Sequence, residues 1–145
     1  MDGNIKKIVS RYVNLYKTNN PFELADFLNI EVQKGELGDL FGCYMYLKKH
    51  RCIFLNHNLN YEDCKTVMAH ELGHAILHIK TNCCFMKNKT LLTTSKIERQ
   101  ANMFAAELLI SDNLVQELVD LNIEQISNIT GINLQLIKIK LGVDI

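Results

Sequence analysis

Tyr61-Glu-Asp-Cys-Lys-Thr-Val-Met-Ala-His70-Glu71-Leu72-Gly73-His74-Ala-Ile-Leu-His78-Ile-Lys80 is the stretch from which the rest of the chain is best read. It is predicted to form one helix. Asn60 is placed to cap it and Asp63, at the third position, to favour its positive end. Met68, Leu72, Ala75, Ile76 and Ile79 form an apolar stripe for the core, with His70 and His74 well round from it. Inside the run lies H-E-x-x-H. Residues four apart share a helix face, so His70 and His74 can aim their rings at one metal ion. Glu71 is about 100° further round, close enough to act as general base without being a ligand. With 5 His and 9 Glu in 145 residues, chance yields the pattern about once in a hundred such chains. Gly73 costs about 1 kcal/mol inside a helix, so its position beside the motif predicts that another backbone comes close there.

Upstream, Ile5, Ile8, Val9, Tyr12, Val13 and Tyr16 follow helical spacing over residues 4–18. Asn20-Pro21, with Glu23 at the third position, opens a short helix over about Pro21–Leu28. Ile30–Gln33 alternates as a strand does. Two more strand-like runs, Leu40–Leu47 and Cys52–Asn56, flank the polar turn Lys48-Lys49-His50-Arg51. Downstream, residues 81–94 read as a polar loop. Helices follow over about Ser95–Ile110 and Asn113–Asp120, then a helical pair, Ile123–Thr130 and Leu134–Leu141, broken at Gly131. The expectation is a single α+β domain over residues 1–145. It is mainly helical, with a small, about three-stranded antiparallel sheet beside the motif helix.

Composition narrows the function classes. Sixteen basic and sixteen acidic residues leave a formal charge of zero, which gives no general pull towards nucleic acid or membrane surfaces. There is no apolar run of about 20 residues and no signal-peptide core, so a cytoplasmic location is expected. Five cysteines (43, 52, 64, 83 and 84) make an odd number without C-x-x-C spacing, which favours free thiols. Cys43 and Cys52 are placed to come near each other across the hairpin.

A catalytic zinc usually has three protein ligands. His78 is excluded as the third, because along a straight helix it lies about 12 Å from His70; it reads as a supporting or helix-end residue. Glu98 opens a separate helix, and Ala101 and Ala105 on its face permit close helix approach. Yet Ser95-Lys96-Ile97-Glu98 is also a capping box, which would turn the carboxylate onto backbone N–H. The residues alone leave both uses open. Glu107 lies on the opposite side of that helix.

His70-Glu-Leu-Gly-His74-Ala-Ile-Leu-His78, followed by Glu98-Arg-Gln-Ala101-Asn102-Met-Phe104-Ala105-Ala106-Glu-Leu108-Leu109, resembles the ImmA/IrrE family of bacterial and phage zinc peptidases, which are gluzincin-like. The second run matches E-x-x-A-N-x-F-A-x-x-L-L at each fixed position, and the likeness covers most of residues 20–141. Ser111 departs from the proline that many members carry there. The resemblance implies a Zn2+ ion held by His70, His74 and Glu98, with Glu71 as general base. It also implies a protein substrate, a Xre-type helix-turn-helix repressor whose cleavage switches on mobile-element or stress genes. Tyr44, Tyr46, Tyr61 and His78 are the candidates for stabilising the oxyanion.

Two other readings compete. The Ile123–Leu141 pair has helix-turn-helix character, but Lys138 and Lys140 stand against Glu124 and Asp144, so direct nucleic-acid binding is not expected. A zinc-holding anti-repressor that works by binding its partner leaves Glu71 without a role.

Overall fold

A computed structural model describes residues 2–86 and 95–143. The fold is α+β, with seven helices and four strands among the described residues: α1 (Asp2–Tyr16), α2 (Pro21–Phe27), β1 (Glu31–Gly35), β2 (Leu40–Leu47), β3 (His50–Asn56), α3 (Tyr61–Leu77), β4 (Cys83–Met86), α4 (Lys96–Leu109), α5 (Asp112–Glu117), α6 (Ile123–Thr130) and α7 (Leu134–Leu141). Local chemistry sets the helix starts. Asn20, Asn60 and Ser111 accept from backbone N–H groups of the first turns, and Asn122 and Gln125 complete a reciprocal capping box.

The sheet differs from the three-stranded antiparallel expectation. It has four strands in the order β1-β3-β2-β4, and β1 runs parallel to β3. The cause lies at the end of β3. Asn56, almost fully buried, donates its amide to the carbonyls of Gly38 (3.2 Å) and Leu40 (2.8 Å). That fixes the short link from β1 to β2 across the end of β3, so β1 joins the far edge of β3. The fourth strand arises within the segment read as loop, where Cys83-Cys-Phe-Met86 pairs antiparallel with β2. The remainder of that expected loop, residues 87–94, lies outside the described residues.

The hairpin turn is also tighter than the expected tetrapeptide. Leu47 pairs with His50, leaving Lys48 and Lys49 as a two-residue turn, both at positive φ (49° and 66°). Arg51 belongs to β3 and donates to the carbonyls of Ala75 (3.1 Å) and Leu28 (3.0 Å). Cys43 faces Cys84 on β4, with sulfurs 2.7 Å apart, whereas the expected neighbour Cys52 pairs with Met45. All five cysteines are free thiols.

Helix α3 is the centre of the molecule. It packs against β2 and β3 on one side and α4 on another, with α2 also touching it. Burial extends round nearly its whole circumference from Thr66 to Ala75, wider than the expected stripe. Met68, Leu72 and Ala75 are in the core, but Ile79 lies beyond the helix end and is 42% exposed. Helix α4 in turn packs against α1 and α7. No helix among the described residues is long and apolar enough to cross a membrane.

Candidate metal centre

Gly73 sets the spacing of the two helices that build the site. A Cβ there would lie 3.2 Å from both Cα and O of Ala101 and 3.1 Å from Cβ of Phe104. The close backbone approach expected from the sequence is therefore present, and it brings α4 alongside the histidine face of α3. Ala101 and Ala105 are both fully buried at this contact.

Across the contact, Glu98 reaches both histidines. Its Oε2 lies 3.0 Å from His70 Nε2, and its Oε1 lies 2.9 Å from His74 Nε2. The two Nε2 atoms are 3.2 Å apart. Ligand-type atoms of His70, His74 and Glu98 all fall within 4.8 Å of one another. The alternative use of Glu98 in a capping box is not taken: both its oxygens meet imidazole nitrogens, and the Ser95 side chain makes no cap bond. Burial pushes the Glu98 carboxyl up, but hydrogen bonding to His70 and His74 and their charge carry it well below the usual carboxylate range.

Each histidine is held from behind. His70 Nδ1 is 2.7 Å from Asn102 Oδ1, an oxygen placed to accept from it. Phe85 of β4 packs edge-on against the His70 ring, with centroids 4.8 Å apart. His74 Nδ1 lies 3.0 Å from His78 Nδ1, and His78 Nε2 lies 2.8 Å from Gln100 Oε1. His78 is thus the cap at the end of α3 and a support for His74, in line with the sequence reading. The two Nε2 atoms and the Glu98 carboxylate thus converge on one point. Such a donor set could hold a cation, and two imidazoles with one carboxylate suit zinc.

Glu71 sits beside this cluster, fully buried, and neither carboxylate oxygen has a hydrogen-bond partner. Burial, with the charge of Glu98 adding to it, raises its pKa well above the ordinary value. A buried carboxyl with both oxygens unpartnered and a raised proton affinity is able to exchange a proton.

Sequence reasoning missed Asn102, Gln100 and Phe85. Asn102 was findable, since it follows Glu98 by four and shares its face; Phe85 was hidden by the loop reading. Among the oxyanion candidates, Tyr44 is fully buried and donates its hydroxyl to Ile79 O (2.5 Å), and burial raises its pKa to about 12. Tyr61 is 81% exposed at the start of α3, far along the helix from the histidines. Glu107 pairs with Lys140 at 2.7 Å, away from the site.

Fold and site together define an α+β protein whose central helix presents two histidines to a glutamate of the neighbouring helix, with a buried carboxyl beside them. The model of the IrrE N-terminal-like domain, a peptidase family, matches residues 27–129. The chain belongs to that family. It is 40% identical over 139 residues to "Uncharacterized immunity region protein 2" of Bacillus phage phi105, covering 94% of this chain and 88% of the relative. It is 33% identical over 113 residues to "Metallopeptidase ImmA" of Bacillus subtilis (strain 168), covering 78% of this chain and 67% of that protein.

Proposed function

We propose that the chain is a zinc-dependent, site-specific endopeptidase. Its metal ligands are His70, His74 and Glu98, its general base is Glu71, and its substrate is a helix-turn-helix repressor. The observation that carries the reading is the unpartnered, buried Glu71 carboxylate beside the three converging ligand atoms. A site that only held a metal for structure gains nothing from such a group, which costs stability. The name of the Bacillus subtilis relative supports a metallopeptidase, and the immunity-region name of the phage relative is compatible with a repressor as substrate.

Zinc, when held there, supplies Lewis acidity that polarises the scissile carbonyl and makes water acidic near neutral pH. Glu71 accepts a proton from the attacking water at a carboxylate oxygen and delivers it to the leaving amine nitrogen. Its raised proton affinity suits both transfers. Asn102 keeps the His70 ring in register throughout.

Strands β2 and β3 each have neighbours on both sides, so they offer no free edge to which a substrate strand could add. The edge nearest the site is β4, whose Phe85 touches His70, and an extended peptide adding there would run past the ligand cluster. The helix-turn-helix-like pair supports a structural role over DNA binding. Leu136 and Ile137 of α7 are buried, α7 packs on α4, and Lys140 is committed to Glu107 and Asp112.

The test is co-expression with a candidate helix-turn-helix repressor, for wild type and Glu71→Gln, with fragments sought by mass spectrometry. Fragments with wild type alone are expected and would give the cut site. Intact repressor in both cases, with zinc bound stoichiometrically, would sink the protease reading in favour of a binding-only anti-repressor.

A further inference from the structure

We infer that Cys43 and Cys84 form an oxidation site, at which hydrogen peroxide links the two sulfurs across β2 and β4. The inference depends neither on zinc nor on cleavage. Cys43 and Cys84 stand directly opposite each other in the antiparallel register. Such partners have Cα atoms about 4.5–5.5 Å apart, inside the range of about 4.4–6.8 Å that a disulfide spans. The side chains also lean together, Cys43 Sγ donating to Cys84 Sγ at 2.7 Å. Neither of the other strand cysteines faces a second thiol. Cys52 stands opposite Met45 and its sulfur donates to Glu31, while Cys83 stands opposite Tyr44 and donates to the Thr81 carbonyl. Cys64 lies apart on α3.

The two sulfurs differ in access, and that sets the order of the steps. Cys84 is exposed on the edge strand, whereas Cys43 is buried. Burial first, and then the hydrogen bond to Cys84, push the Cys43 thiol up, so it stays protonated. Cys84 is therefore the sulfur that meets the oxidant. Its thiolate attacks one peroxide oxygen and the O–O bond breaks. Cys84 becomes a sulfenic acid, and the second oxygen leaves as water with the proton Cys84 gave up. Cys43 Sγ then attacks the Cys84 sulfur, the S–O bond breaks, and hydroxide departs with the Cys43 proton as a second water. Both sulfurs are oxidised, the peroxide is reduced, and the atoms balance.

The bond acts on the strand nearest the candidate metal centre. Strand β4 has four residues, pairs with β2 alone, and carries Phe85, whose ring packs on His70. Few backbone bonds hold so short an edge, so it opens locally at little cost. Joining Cys84 to Cys43 clamps it to the sheet. The ring so closed contains β3 and α3, which also restricts the unfolded chain.

The test treats the full chain with equimolar hydrogen peroxide, counts the remaining thiols after denaturation, and maps linked peptides by tandem mass spectrometry. Two of the five thiols should be lost, through a link from Cys43 to Cys84 within one molecule, and dithiothreitol should restore both. Cys84→Ser, a change at an exposed side chain, should abolish the loss, and Cys83→Ser should leave it intact. Cys43→Ala should stop at a sulfenic acid on Cys84, trapped by dimedone. In the linked chain the β4 amides should exchange with solvent about tenfold more slowly. The melting temperature should rise by about 5–10 °C. Retention of all five thiols, a link through Cys52, Cys64 or Cys83, or a link between two molecules would overturn the inference. So would a linked chain that melts below the reduced one, because the bond would then distort the sheet.

Discussion

A buried carboxylate with no hydrogen-bond partner, as Glu71 is, works against the fold. Glu71→Gln should therefore leave zinc affinity nearly unchanged and abolish cleavage, yet raise the stability of the metal-free chain. The gain should be about 1 kcal/mol, read as a higher melting temperature. A metal-free variant less stable than wild type would mean that Glu71 has a structural partner after all. Asn102 has the opposite character, since its oxygen holds His70 Nδ1 at 2.7 Å. Asn102→Ala should weaken zinc binding about tenfold, measured by chelator competition, even where the fold survives. At this scale the pairing of His70 with His74 on one face was legible from spacing alone. The meeting of Glu98 with them was not, because a capping box and a residue turned towards the histidines read identically in sequence, and only the position of α4 separates them.

At the scale of elements, the contact of α3 with α4 is what makes a site out of two separate motifs. Gly73→Val would put branched carbons into backbone that already lies 3.2 Å from a Cβ position. The helices must then separate, carrying Glu98 away from the histidines. The expected result is a loss of about 2 kcal/mol in stability and more than tenfold in zinc affinity. Normal zinc affinity in that variant would show that the helix contact does not set the ligand geometry. Helix positions were readable because caps and apolar periodicity are local properties. The sheet was less so. A short link serves equally for a neighbouring hairpin or for a step across one strand, and β4 is too short for alternation to declare it.

On the scale of the whole molecule, two effects reach beyond the site. Zinc bridging α3 and α4 should stabilise the fold by about 2.7 kcal/mol at a free concentration a hundred times its dissociation constant. That corresponds to a melting temperature about 5–10 °C higher than after chelation. Far from the site, Lys140, with only 5% of its side chain exposed, joins Glu107 of α4 to Asp112 of α5, and Lys6 of α1 joins Asp112 too. Lys140 first, and then Lys6, hold the Asp112 carboxyl below its ordinary value. An acid whose pKa falls on folding stabilises above its unfolded pKa and loses that as pH drops through its folded one. Asp112→Asn should thus cost under about 1 kcal/mol at pH 7, since Asp112 is exposed. The difference from wild type should close as pH falls below about 4, in denaturant titrations run at several pH values.

The chain alone determined its helices, the paired histidines, the neighbouring Glu71 and the likeness to a peptidase family, because each depends on residues a few positions apart. Tertiary structure decided the rest. It chose the meeting of Glu98 with His70 and His74, the parallel pairing of β1, the edge strand β4 and the outer partners Asn102, His78 and Gln100. Those choices join groups 22 to 32 residues apart at the site, and which of them meet is set by how closely α4 can lie against Gly73.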